Sequence, residues 1–216
     1  MNNLKRSFLI IGIILLIDQT LKIWIKTHMM LGEEYRVFGN WFIIHFVENN
    51  GMAFGMEIAG RFGKVFLSVF RIAAVFGIGV YLYRLTQKAT PKGLIISVSM
   101  VLAGALGNII DSAFYGILFN ESYLQVASFL PADGGYSSFL HGKVVDMFYF
   151  PLLEGTYPQW LPFVGGTDFI FFRPVFNIAD SSITLGIISI LLFQKRFFHE
   201  EASDAIVEPT EQQVEG

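Results

Sequence analysis

A chain of 216 residues that is 53% hydrophobic, 16% aromatic and only 15% charged, with a mean hydropathy of +0.54, lies well off the balance of a soluble domain. Its net charge of −3, with no Lys/Arg-rich stripe interleaved with aromatics, argues against nucleic acid as a partner. The absence of cysteine excludes disulfides, a thiol nucleophile and Cys-ligated zinc or iron–sulfur clusters.

The expected fold class is an all-α membrane protein with four transmembrane helices, a small outward-facing β-cradle and interfacial loops. The apolar run after Lys5 and Arg6 meets Asp18-Gln19-Thr20-Leu21-Lys22 rather than a small-residue cleavage site, so it reads as a first membrane helix over about 7–26, not a removable leader. Residues 27–62 form a mixed outer segment in which Trp41 to Val47, rich in β-branched and aromatic residues, predicts strand before the turn-prone Glu48-Asn49-Asn50-Gly51. Helices two and three are predicted over 63–84 and 93–111. Residues 112–174, broken by Gly134-Gly135, Pro151, Pro158, Pro162 and Gly165-Gly166, predict loops and short elements rather than another span. Helix four is predicted over 175–194, and the acidic stretch 200–216 as a disordered tail beyond a single domain, 1–199.

Basic residues gather at Lys5 and Arg6, at Arg84, Lys88 and Lys92, and at Lys195 and Arg196. The positive-inside rule then places both termini in the cytoplasm and the two long segments outside. With that topology Asp18, Asn49, Asp111, Asp146 and Asp180 all fall toward the outer side of the bilayer.

A charged residue near the centre of a membrane helix costs roughly 2.5–3.5 kcal/mol on insertion scales, so carboxylates in apolar surroundings point to function. Asp180 opens the fourth apolar helix, and Asp146 lies among Val144, Val145, Met147 and Phe148. Two carboxylates brought together cannot easily both ionise, which leaves one as acid and one as base, the arrangement of an aspartic protease acting on a bridging water. The plainer alternatives are a helix-capping Asp180 and a solvated Asp146. Asn177, three residues before Asp180, is expected to lie on its helical face and donate to it. Asp18 and Lys22, spaced i, i+4, are expected to pair. Asn108 and Asp111 are expected to hydrogen-bond across the bundle, and the small residues Ala103, Gly104 and Gly107 to let helices approach closely. The four histidines show no His-Glu-x-x-His spacing, and neither a nucleophile elbow nor a phosphate-cradling loop is present, so no metal and no cofactor is expected.

Five blocks in order carry a family resemblance: Asp18 to Lys22, Asn49 to Gly55, Gly104 to Asp111, Val144 to Phe148 and Phe176 to Asp180. Together they resemble bacterial lipoprotein signal peptidase, or signal peptidase II. The resemblance implies an aspartic endopeptidase of the bacterial plasma membrane that cuts prolipoproteins before a diacylglyceryl-modified cysteine. Its partners would be those substrates and membrane lipids, and a monomer is expected. The family's catalytic pair falls on Asp146 and Asp180, and its supporting residues on Asp18, Lys22, Asn49, Asn108, Asp111 and Asn177. Gly51 and Phe54 are expected beside the scissile bond. Where the family usually has Arg after the acid of the third block, this chain has Ser112, and stretches 120–140 and 152–170 exceed the family's usual loops. The rival class is a small proton-coupled transporter, since intramembrane acids also build proton relays. Clustering of the acids at one depth, and the lack of an inverted repeat, count against it.

Overall fold

The computed structural model describes residues 2–50, 60–151, 153–171 and 174–198. Among the described residues, three helices are long and apolar enough to cross a membrane: α1 (Asn3–His28), the Ser68–Thr86 stretch of α2 (Gly60–Thr86), and α3 (Lys92–Ile110) as it continues to Leu118. The last helix, α5 (Ile178–Leu192), is apolar but has only 15 residues. The helices expose bulky apolar groups such as Phe8, Leu16, Phe66, Phe76 and Leu192, each more than 65% accessible. Such a surface suits lipid, not water.

Helix three does not stop at residue 111 as predicted. A π-helical turn (Asp111–Tyr115) inserts there and leads into the short α4 (Gly116–Leu118). A π turn removes the regular i→i−4 partners and so frees backbone carbonyls. The chain that follows doubles back to satisfy them: Gly142 N–H donates to Ser112, Leu140 to Ala113 and Ser137 to Gly116, at 2.8–3.2 Å.

Residues 112–174, predicted as loops and short elements, contain three of the six strands found among the described residues. Strands β1 (Glu34–Phe38), β2 (Phe42–Asn49), β3 (Val144–Tyr149) and β6 (Val175–Phe176) form one antiparallel sheet in the order β1-β2-β3-β6. A separate hairpin joins β4 (Leu153–Thr156) to β5 (Asp168–Phe171). Asp146 is therefore a strand residue, opposite Val47 of β2, not a loop residue. The fourth helix likewise begins at Ile178 rather than 175, because Val175 and Phe176 pair with Tyr149 and Phe148. The predicted tail 200–216 lies outside the described residues.

Two apolar clusters bracket the bundle. Ile25, Met29, Phe46, Tyr115, Val145 and Met147 join the sheet to the ends of α1 and α3, while Leu82, Leu94, Ile95, Val98, Leu102 and Phe197 close the opposite end. Between them α3 and α5 meet at glycine. A Cβ on Gly104 would lie 2.2 Å from the Ala179 carbonyl oxygen, and one on Gly107 would lie 2.7 Å from Asp18 Oδ2. Close backbone approach of this kind is what small residues allow in membrane bundles. Gly104→Ala is expected to lower stability by at least about 1–3 kcal/mol through overpacking. Thermal unfolding in detergent checks this, against Gly12→Ala, whose Cβ would meet nothing within 4 Å.

Candidate active site

The site grows from one buried cation. Lys22 Nζ lies 2.9 Å from Asp18 Oδ2 and 2.8 Å from Asp111 Oδ2, and all three side chains are fully buried. The same ammonium donates to Asn108 Oδ1 at 3.0 Å. The expected i, i+4 pair is thus present, with a third member from the end of α3. Asp18 also accepts the Ala179 N–H in the first turn of α5 at 2.9 Å, where a carboxylate meets the positive end of the helix dipole.

From this centre two chains of hydrogen bonds run to the acids. Asn108 Nδ2 donates to Asp180 Oδ1 at 2.8 Å. Asp111 Oδ2 accepts the Val145 N–H at 3.3 Å, fixing the strand residue next to Asp146.

Asn177 joins the two ends, though not as its spacing predicts. It is the N-cap of α5 rather than part of it. Its side-chain oxygen accepts the Asp180 N–H at 2.8 Å and its own N–H donates to Asp180 Oδ2 at 3.4 Å, a capping box. Its amide Nδ2 donates instead to Asp146 Oδ1 at 2.7 Å. Asn49 Nδ2 reaches Asp146 Oδ2 at 3.4 Å. The capping role of Asp180 and its place beside Asp146 are therefore compatible. Gly51 and Phe54 lie outside the described residues.

Asp146 is only 3% exposed. Burial and the nearby Asp180 charge push its carboxyl from an ordinary 3.8 up to about 7, against the opposing pull of Lys22, Asn49 and Asn177. Near neutral pH it is poised between acid and base.

Several contributors are not among the expected site residues. Gln19 Nε2 donates to Asp111 Oδ1 at 2.9 Å and to Asp18 Oδ2 at 3.1 Å, and its carbonyl accepts the Tyr115 hydroxyl at 3.1 Å. Its signal in the sequence is a lone amide beside Asp18 in an apolar helix. Arg71 of α2 lies within electrostatic reach of Asp180. Ser112 turns away, donating to the Asn108 carbonyl at 3.0 Å. A second buried cluster sits under the sheet: Lys26 pairs with Glu48 and donates to Ser122 at 2.8 Å, and Lys143 reaches Glu48 at 3.1 Å. Burial opposes ionisation of Glu48, but Lys26 and Lys143 outweigh it and hold the carboxyl below its usual range.

A family model described as signal peptidase (SPase) II matches residues 10–196. The chain is 51% identical over 189 residues to a lipoprotein signal peptidase of Porphyromonas gingivalis, covering 87% of this chain and 81% of that one. It is 37% identical over 195 residues to a lipoprotein signal peptidase of Amoebophilus asiaticus, covering 87% and 78% respectively. A bacterial membrane enzyme solved by the in meso method superposes with a TM-score of 0.57 at 23% identity, over 98% of this chain and 95% of that one. A second superposes at 0.56 and 25% identity, over 95% of each.

Lys22→Met would strand two buried carboxylates. Loss of about 3–5 kcal/mol is expected, read as a fall in the unfolding midpoint in detergent, and Asp111→Asn added to it is expected to restore part of the loss.

Proposed function

The chain belongs to the signal peptidase II family, and from that premise we propose that it frees prolipoproteins of their signal peptides by an aspartic mechanism, cutting before a diacylglyceryl-modified cysteine. It is a multi-pass membrane peptidase of the lipoprotein signal peptidase family. The catalytic pair in this proposal is Asp146 and Asp180. The observation that carries it is Asn177, one residue hydrogen-bonded to both acids.

In the proposed cycle the resting pair holds one proton, carried by Asp146. Asp180, acceptor of N–H groups from Asn108 and Asn177, takes a proton from a water molecule. The water oxygen attacks the peptide carbonyl carbon while Asp146 gives its proton to the carbonyl oxygen, forming a neutral gem-diol. The C–N bond then breaks as Asp180 passes its proton to the leaving nitrogen. Asp146 recovers a proton from the gem-diol hydroxyl as the carboxylic acid product forms. Lys22, Asp18, Asp111, Asn108 and Asn49 position the pair without touching substrate. Arg71 supplies positive charge beside Asp180, a role that Ser112 does not take.

In this reading α5 is a fourth span, both termini lie in the cytoplasm, and the four-stranded sheet forms an outward cradle over the site. The enzyme acts as a monomer among membrane lipids, and the lipidated cysteine arrives laterally from the bilayer.

With a diacylglyceryl-modified prolipoprotein in detergent or vesicles, folded Asp146→Asn and Asp180→Asn are each expected to lose at least about 10²–10⁴-fold in cleavage rate, and a chelator to change nothing. Near-normal activity in either variant would reassign that residue to a structural role.

The raised Asp146 carboxyl sets two pH dependences. Wild-type cleavage is expected to fall as pH climbs through about 7, where the Asp146 proton is lost. The folded state also binds this proton more tightly than the unfolded chain. Asp146 therefore costs stability progressively as pH rises from about 4 to about 7, and the full cost remains above that. Melting temperatures should show Asp146→Asn gaining on wild type across the same window.

A further inference from the structure

The β4–β5 hairpin enters the chain between the two proposed catalytic residues. Strand β3 with Asp146 precedes it, and β6 leading to Asn177 and Asp180 follows it. Four antiparallel pairs, Leu153↔Phe171 to Thr156↔Asp168, form its stem. Beyond the stem the backbone closes on itself: Tyr157 N–H donates to Thr167, Gly166 to Tyr157, Gly165 to Leu161 and Thr167 to Val164, at 2.9–3.1 Å. The tip is thus tied to itself by several backbone hydrogen bonds.

Its chemistry is one-sided. Residues 155–167 carry no charged side chain, and the nearest charges in the sequence are Glu154 and Asp168 in the stem. Trp160 is 79% exposed and Phe163 is completely exposed. Phe163 also holds φ at +71°, a left-handed conformation uncommon for a bulky residue. A loop facing water would be expected to place Gly or Asn there, as this tip does at Gly166. Here the strain falls on an aromatic residue whose ring is fully open to the surroundings.

We propose that this tip, centred on Trp160 and Phe163, is a membrane-interface anchor that dips into the outer leaflet beside the catalytic pair. The inference rests on the proposed outward placement of the 112–174 segment. Lipid is the occupant favoured because the tip is uncharged and presents Trp160 and a wholly exposed Phe163 to its surroundings. It also offers Trp and Tyr, the rings that settle at the bilayer surface. The α2 surface exposes the same kind of side chains, including Phe66, Phe70 and Phe76. Charge confined to the stem sets a limit to the depth of insertion. Anchoring there would hold the strands on either side of the hairpin, and so both acids, at a fixed depth for a lipidated substrate.

The chain has no cysteine, so single-cysteine variants of the full protein can carry a nitroxide without other replacements. Phe163→Cys, Phe76→Cys on α2 and Ala89→Cys in the α2–α3 turn would be reconstituted in phosphatidylcholine–phosphatidylglycerol vesicles. Relaxation by oxygen would be compared with relaxation by a water-soluble nickel chelate. The ratio at 163 is expected near that at 76 and several-fold above that at 89. A ratio matching 89 would overturn the anchor, and so would exclusion of both reagents, which would indicate contact with protein. A water-like ratio at 76 would sink the membrane placement itself, and the anchor with it. To leave the tip untouched, Trp24→Phe/Trp41→Phe makes Trp160 the sole tryptophan. Its fluorescence should be quenched by lipids brominated on the acyl chains, and unquenched emission would contradict the proposal independently.

Discussion

Everything at the site depends on a lysine that has no access to water. Lys22 sits between Asp18 and Asp111, all three fully buried, and its charge makes it possible for α1 and the end of α3 to carry carboxylates inside an apolar bundle. Burying such a set costs desolvation, and removing one partner costs more than the set itself does. The cluster therefore fixes the relative placement of two helices, and through the Ala179 N–H it fixes the start of a third.

From that fixed point the two acids are delivered by different kinds of backbone. Asp146 rides a strand held by β2 on one side and, at its far end, by β6. Asp180 rides the first turn of a helix whose N-cap is Asn177. A strand and a helix have no common register, so their meeting depends on side chains that bridge them. Asn177 does this with its amide on Asp146 and its oxygen on the Asp180 backbone. The π turn at Asp111 serves the same end, as it lets one carboxylate face both Lys22 and the Val145 N–H.

Much of this is legible in the sequence, for a physical reason: a polar residue in an apolar stretch is costly, so Asp18, Lys22, Asn108 and Asp180 stand out against the runs that hold them. Helix existence is equally plain from the apolar runs themselves. Long-range pairing is what the sequence hides. Val144 to Tyr149 form a strand only because β2, about a hundred residues earlier, lies beside them. The Gly and Pro residues of 112–174 suggest loops, yet several of them close turns between strands. Gln19 and Tyr115 give little sign of their roles because their partners come from across the bundle. Asn177 stands out through its spacing from Asp180, but its amide serves the other acid.

In the proposed mechanism Asp146 enters the cycle as the acid and holds its proton near neutral pH. Infrared difference spectroscopy of the purified enzyme, titrated from acid to alkaline pH, tests this directly through the protonated-carboxyl C=O band. A band lost as pH rises through about 7 and missing from Asp146→Asn is expected. A band that titrates unchanged in Asp146→Asn would contradict it, as would an Asp146 already ionised in mild acid.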